Sequence, residues 1–213
     1  MRITHHPDAS ILMTCAAGSQ PEVLCAVIAS HLSVCPSCMS EVGRLEKIGV
    51  ALFDGLDPKP LTSKVPLPAV NAGDAQKMGW SYSDSSRGDV PPPLMGVIGP
   101  RLDDIEWGLL AVGVWHFPIP LSPAAKGDLR LIKMSPGSKL LSCGRKGEGL
   151  ALVLRGKCRD ELNSLCPGDF ADREEGADGL IVADKALGCT LLVASEHELQ
   201  FVPSPSQMNC PPG

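Results

Sequence analysis

His31, Cys35 and Cys38 follow one another as H-x3-C-x2-C. Thiolate and imidazole bind soft or borderline divalent cations well, and Zn²⁺ in particular takes them in tetrahedral sets. Two thiols three positions apart at a helix start can face one ion, and an imidazole four residues upstream, one turn below, shares that face. Three vertices are therefore local. The fourth has to be brought in by folding, and the His5-His6 pair near the N-terminus is the candidate. A His2Cys2 set leaves no open position for water or substrate, so the ion it implies is structural rather than catalytic. The competing reading is a core histidine beside two incidental cysteines. C-x2-C with a histidine one turn away is hard to reach by chance, which favours the metal.

Three helices are expected to position these residues. Asp8 can cap the first, whose Ile11, Leu12, Cys15 and Ala16 share a face, and Gly18 supplies its stop. Ser19 and Glu22 have the spacing of a capping box for the second helix, with Pro21 tolerated in its first turn. That helix carries Leu24, Val27, Ile28, His31 and Leu32 at i, i+3, i+4, i+7, i+8, which turns His31 toward the core. Cys35 ends it and Pro36 opens the third helix, where Cys38, Val42, Leu45, Gly49 and Leu52 recur at near-heptad intervals.

From residue 54 to 100 the periodicity is lost. Pro58, Pro60, Pro66, Pro68, Pro91, Pro92, Pro93 and Pro100 exclude a long regular element, and one short helix over residues 69–80 is the most this stretch allows. Beyond Pro100 the texture changes to short apolar runs, LLAVGVW, DLRLIKM, LALVLRG, CTLLVA and ELQFV, between Gly, Pro, Asp and Ser turns. Strands at this spacing indicate an all-β barrel or sandwich. The expected organisation is a helical metal-binding domain at 1–85, a Pro-rich linker at 86–100 and a β-barrel domain at 101–205.

Composition narrows the function classes. The 213 residues carry a formal net charge of −5, without the basic cluster that a nucleic-acid surface needs. The opening MRITHHPDAS lacks the basic-then-apolar pattern of an export signal, and no apolar run approaches the roughly 18 residues of a membrane span. A cytoplasmic, soluble protein is expected. The nine cysteines are odd in number and have no export signal before them, which argues against a disulfide framework. Cys15, Cys25, Cys158, Cys166 and Cys189 stand among apolar neighbours and are expected to pack as small hydrophobes.

The order H…H-x3-C-x2-C in a three-helix N-terminal segment resembles the zinc-binding anti-sigma domain. With HHPD at the start and a β-rich second half, the whole chain is similar to the ChrR-type anti-sigma factors. The resemblance implies Zn²⁺ ligands at His6, His31, Cys35 and Cys38, with His6 preferred over His5 because it directly precedes the proline leading into the first helix. It also implies that the helical domain binds an extracytoplasmic-function sigma factor and covers the surface with which sigma would contact RNA polymerase. Release on a stress signal would follow, in related proteins oxidative stress such as singlet oxygen.

The same resemblance makes the second half a cupin. Gly137, the LALVLRG strand ending in Gly156 and the Pro167-Gly168-Asp169 turn match that pattern. The expected cupin ligands do not: Cys143, Arg145 and Gly149 fall at the first three ligand places, Glu148 is one residue off, and 174–180 holds no histidine. A second metal in the barrel is therefore disfavoured. Cys143, close to Arg145 and Lys146, is a candidate for redox chemistry only if those charges lie near its sulfur. His116 and His197 are read as ordinary barrel residues, and no catalytic triad, carboxylate pair or phosphate loop is present. The expectation is a regulator without enzymatic activity. The alternative is a cupin-type metal-dependent dioxygenase or isomerase with a zinc-stapled helical appendage, against which the missing cupin ligands weigh.

Overall fold

The computed structural model describes residues 3–57, 89–143, 149–160, 163–173 and 179–203, with 142–143, 173 and 200–203 as backbone alone. The first helix, α1 (Ala9–Ala16), begins where the Asp8 carboxylate accepts the Ile11 N–H at 2.8 Å, and it ends before Gly18, whose φ of +66° suits glycine. α2 (Glu22–Leu32) buries all of its expected stripe and Val23 as well. The expected capping box does not form. The Ser19 hydroxyl donates back to the Thr14 carbonyl, while the Glu22 carboxylate accepts the Ser122 N–H at 2.8 Å and the Ser122 hydroxyl. A tertiary partner has taken the carboxylate away from its local one.

α3 (Pro36–Asp54) starts as expected, with Cys35 at the cap position and Pro36 in the first turn. Its near-heptad stripe is covered only at the start. Cys38 and Val42 are buried, Leu45 and Gly49 are partly covered, and Leu52 is 71% exposed. Part of the stretch expected as linker is structured. Pro91 to Pro93 begin a seven-residue helix, α4 (Pro92–Ile98), since fixed φ and a missing N–H are no handicap in a first turn. Val90 and Leu94 are buried there, and α4 lies against α2. The short helix expected over 69–80 lies outside the described residues.

Among the described residues the second half is antiparallel β, preceded by a 3-10 turn at Leu102–Asp104. One sheet has the order β1-β2-β3-β10-β5-β8, formed by Gly108–Ala111, Val114–Pro118, Asp128–Met134, Cys189–Ser195, Gly149–Gly156 and Phe170–Arg173. The second has the order β11-β4-β9-β6-β7, formed by Gln200–Pro203, Lys139–Cys143, Gly179–Ala183, Cys158–Arg159 and Ser164–Leu165. Among the described residues these are two facing sheets of a cupin-like fold rather than one closed cylinder. The LLAVGVW run makes a hairpin instead of one strand, because Gly113 at φ +72° turns the chain between β1 and β2.

Two cores result. Between the sheets lie Val114, Ile132, Met134, Leu140, Val153, Leu165, Ile181, Leu191 and their neighbours. On the opposite face of the larger sheet, Leu129, Leu131, Leu150, Leu152, Phe170, Leu192 and Ala194 join Leu24, Val27 and Ile28 of α2 in a second cluster. The period of two along β3, β5 and β10 therefore sends apolar side chains both ways, which is why these strands read as unbroken hydrophobic runs. α2 packs across β5 and β10, and this docking brings the candidate metal ligands against the β part.

Candidate metal centre

His6, His31, Cys35 and Cys38 come together with their ligand atoms all within 4.8 Å of one another. Each arrives by a different local cause. α2 carries His31 on its buried face, the cap position of α3 holds Cys35, the first turn of α3 holds Cys38, and the extended segment before Pro7 carries His6. His6 Nδ1 lies 3.4 Å from Cys35 Sγ and 3.3 Å from Cys38 Sγ, and His31 Nε2 lies 3.3 Å from Cys38 Sγ. A tetrahedral cation with bonds of about 2.0–2.1 Å to nitrogen and 2.3 Å to sulfur needs N···S separations of about 3.5 Å. The four groups therefore fit such an ion with little movement. His31, Cys35 and Cys38 are buried and His6 is exposed, so the set closes from the interior outward.

Without a cation, burial holds two of the four groups neutral. Burial, with the Cys35 thiol beside it, pushes the Cys38 thiol up to about 12, so it stays neutral until a positive charge is supplied. Burial likewise lowers His31 to about 4, leaving a neutral imidazole at ordinary pH. Its tautomer is set by a neighbour: Nδ1 is 2.9 Å from the Gly168 carbonyl oxygen, which can only accept. The proton therefore sits on Nδ1, and the Nε2 lone pair is free to face the cluster.

His5 takes another role. Its ring meets the Asp169 carboxylate at 3.4 Å, outside the four-residue group. Asp169 is 1% exposed, and it accepts the N–H groups of Thr4 at 2.6 Å, His5 at 3.0 Å and Cys166 at 2.9 Å. Burial pushes its carboxyl upward, but these donors together outweigh it and hold the group below the usual carboxylate range. Phe170 returns the contact, its N–H donating to the His5 carbonyl at 3.0 Å, while its ring meets the His31 ring edge-on at a centroid distance of 5.7 Å. Sequence reasoning missed Gly168, Asp169 and Phe170 as neighbours of the candidate ligands. It saw Pro167-Gly168-Asp169 only as a turn, and no local pattern says that a turn more than 130 residues away along the chain from His31 will cover it.

The remaining candidates lie elsewhere. His116 sits in β2 opposite Gly108, and His197 lies beyond β10. Cys158 and Cys189 are buried between the sheets, where contact with Cys158 and burial raise the Cys189 thiol. Cys15, Cys25 and Cys166 are partly covered. The Cys143 side chain, Arg145, Lys146, Glu148 and residues 174–178 lie outside the described residues.

No protein-family model matches the chain. Among curated proteins it is 30% identical over 201 residues to the anti-sigma-E factor ChrR of Cereibacter sphaeroides, covering 94% of this chain and 93% of that one. Among solved structures it is similar to the crystal structure of Rhodobacter sphaeroides SigE in complex with the anti-sigma ChrR. The identity there is 29% and the TM-score 0.75, over 91% of this chain and 99% of that chain. KdgF from Halomonas sp. matches 46% of this chain and 91% of its own at 16% identity, with a TM-score of 0.40.

Proposed function

The chain belongs to the family of the ChrR anti-sigma factors, and from that premise we propose that it is a cytoplasmic anti-sigma factor, a regulator and not an enzyme. Its partner is an extracytoplasmic-function sigma factor, which it sequesters from RNA polymerase and releases on a stress signal, oxidative stress such as singlet oxygen being the signal carried over by resemblance. The observation that carries the reading is likeness along almost the whole length to a protein solved with its sigma factor, joined to a four-residue His/Cys cluster in the helical half.

In this reading residues 1–85 form the sigma-binding unit, and His6, His31, Cys35 and Cys38 hold one Zn²⁺. When bound, the ion supplies charge that stabilises both thiolates and ties the N-terminal segment to α2 and α3. The β part, 101–205, modulates release. A protein partner also suits the far half of α3 and the turn after it, where Ile48, Leu52, Phe53 and Leu56 are 54–74% exposed. Apolar side chains grouped in this way are the kind of surface that partners cover.

Co-expression with sigma factors encoded beside the gene, followed by pull-down and elemental analysis, tests the reading. The expected result is a stable one-to-one complex carrying about one tightly held zinc per chain, with zinc and complex both lost in the triple variant His31→Ala, Cys35→Ser, Cys38→Ser. An unchanged complex in that variant would contradict zinc-organised binding.

A further inference from the structure

We propose that the 166–170 turn of the β part is the outer shell of the metal centre, with Asp169 as its positioning residue, so that metal retention and docking of the helical part on the sheet are one linked equilibrium. The inference rests on the metal reading above and adds to it a route by which the β part acts on the ion.

The two thiols need little help, since Cys35 and Cys38 are placed by the start of α3 itself. The two imidazoles are different. His31 takes its tautomer from the Gly168 carbonyl, and its ring rests against Phe170. His6 belongs to an extended segment with no helical bonds of its own. That segment is fastened one and two residues before His6, where Thr4 and His5 donate their N–H groups to Asp169 and the His5 carbonyl accepts from Phe170. Ile3 lies so close to Gly168 that a Cβ there would meet its side chain at 2.8 Å. One five-residue turn therefore orients half of the ligand set, through two separate chain segments.

Asp169 spends its buried charge on this task. Its carboxylate meets the Thr4, His5 and Cys166 amides, the Thr4 hydroxyl and the His5 ring, and all but Cys166 lie in the N-terminal segment. A carboxylate accepts from several donors at once, whereas an amide in its place turns one acceptor into a donor facing other donors. Linkage then requires reciprocity. The factor by which the docked turn tightens metal binding is the factor by which the metal tightens docking. Any event that displaces the turn would loosen the ion, and loss of the ion would free the turn.

The test uses the full chain loaded with one equivalent of zinc, and follows transfer of the ion to a chromogenic chelator together with backbone amide exchange. Outer-shell changes at metal sites typically alter affinity by about 10- to 100-fold. Asp169→Asn is expected to bind one zinc but to release it about 10-fold faster or more, and to shift the visible bands of the cobalt-substituted protein. Asp184→Asn, whose carboxylate accepts from the Ala186 and Leu187 amides of its own turn rather than from the N-terminal segment, is expected to do neither. In the unsubstituted protein, stripping zinc should accelerate exchange at the Thr4, His5 and Phe170 amides, and this arm stands even if Asp169→Asn fails to fold. Exchange at those amides that ignores zinc, or release from Asp169→Asn within about twofold of the parent against that 10-fold expectation, would overturn the coupling and leave the metal reading intact. Failure of the parent chain to hold zinc at all would sink both.

Discussion

A thiol placed as Cys38 is stays protonated by burial, and a nearby cation reverses that preference, so single residues here have meaning only through their surroundings. Glycine gives the clearest case of a residue fixed by backbone geometry. Gly188 closes the turn before β10 at φ +65°, accepts the Lys157 N–H at 2.9 Å, and leaves no room for a side chain, since a Cβ would stand 2.5 Å from the Met134 carbonyl oxygen. Gly188→Ala combines a left-handed backbone with a clash against main chain, so a loss of about 1–3 kcal/mol is expected in denaturant titration. In the proposed reading zinc stoichiometry is unchanged, because among the described residues no hydrogen bond of the candidate ligands involves this turn. The same kind of local argument made His31, Cys35 and Cys38 legible in the sequence, since helix periodicity and cap chemistry act within a few residues.

At the level of elements, the helices differ in what covers them. α2 is buried on the face its periodicity predicts because β5 and β10 lie beneath it and α4 lies beside it. α3 shows the same kind of pattern but is fully buried only at Cys38 and Val42. Periodicity reports that a face is apolar, and it does not say whether this chain or another will cover it. The contrast can be measured. Leu94→Ala in α4, where the side chain is 3% exposed, should cost about 2–4 kcal/mol. Leu52→Ala in α3, where it is 71% exposed, should change stability by less than about 0.5 kcal/mol. In the proposed reading, Leu52→Ala weakens the sigma complex instead, and thermal melts beside pull-downs separate the two effects. The α4 helix itself was hidden by its prolines, which forbid a long helix but are well suited to starting a short one.

For the whole molecule, the larger sheet is a middle layer with helices on one side and the second sheet on the other. The inter-sheet core owes nothing to the metal ligands, whereas the helical layer meets them directly. In the proposed reading, stripping zinc therefore lowers the melting of the helical layer first: the helix band of the amide I infrared spectrum is expected to be lost at a lower temperature than the strand band. Coincident transitions before and after chelation would contradict that division. Sequence alone was enough for the three N-terminal helices, the change to β after Pro100, and the local grouping of His31, Cys35 and Cys38 as side chains able to hold a metal, because these follow from periodicity, capping and ligand spacing over short stretches. Only the tertiary structure decided that His5 turns to Asp169 while His6 faces the thiols, that Glu22 leaves its capping box for Ser122, and that Gly168 and Asp169 stand behind the imidazoles. Those outcomes depend on which distant surfaces meet, and a hydrogen-bond partner far along the chain leaves no mark in local spacing.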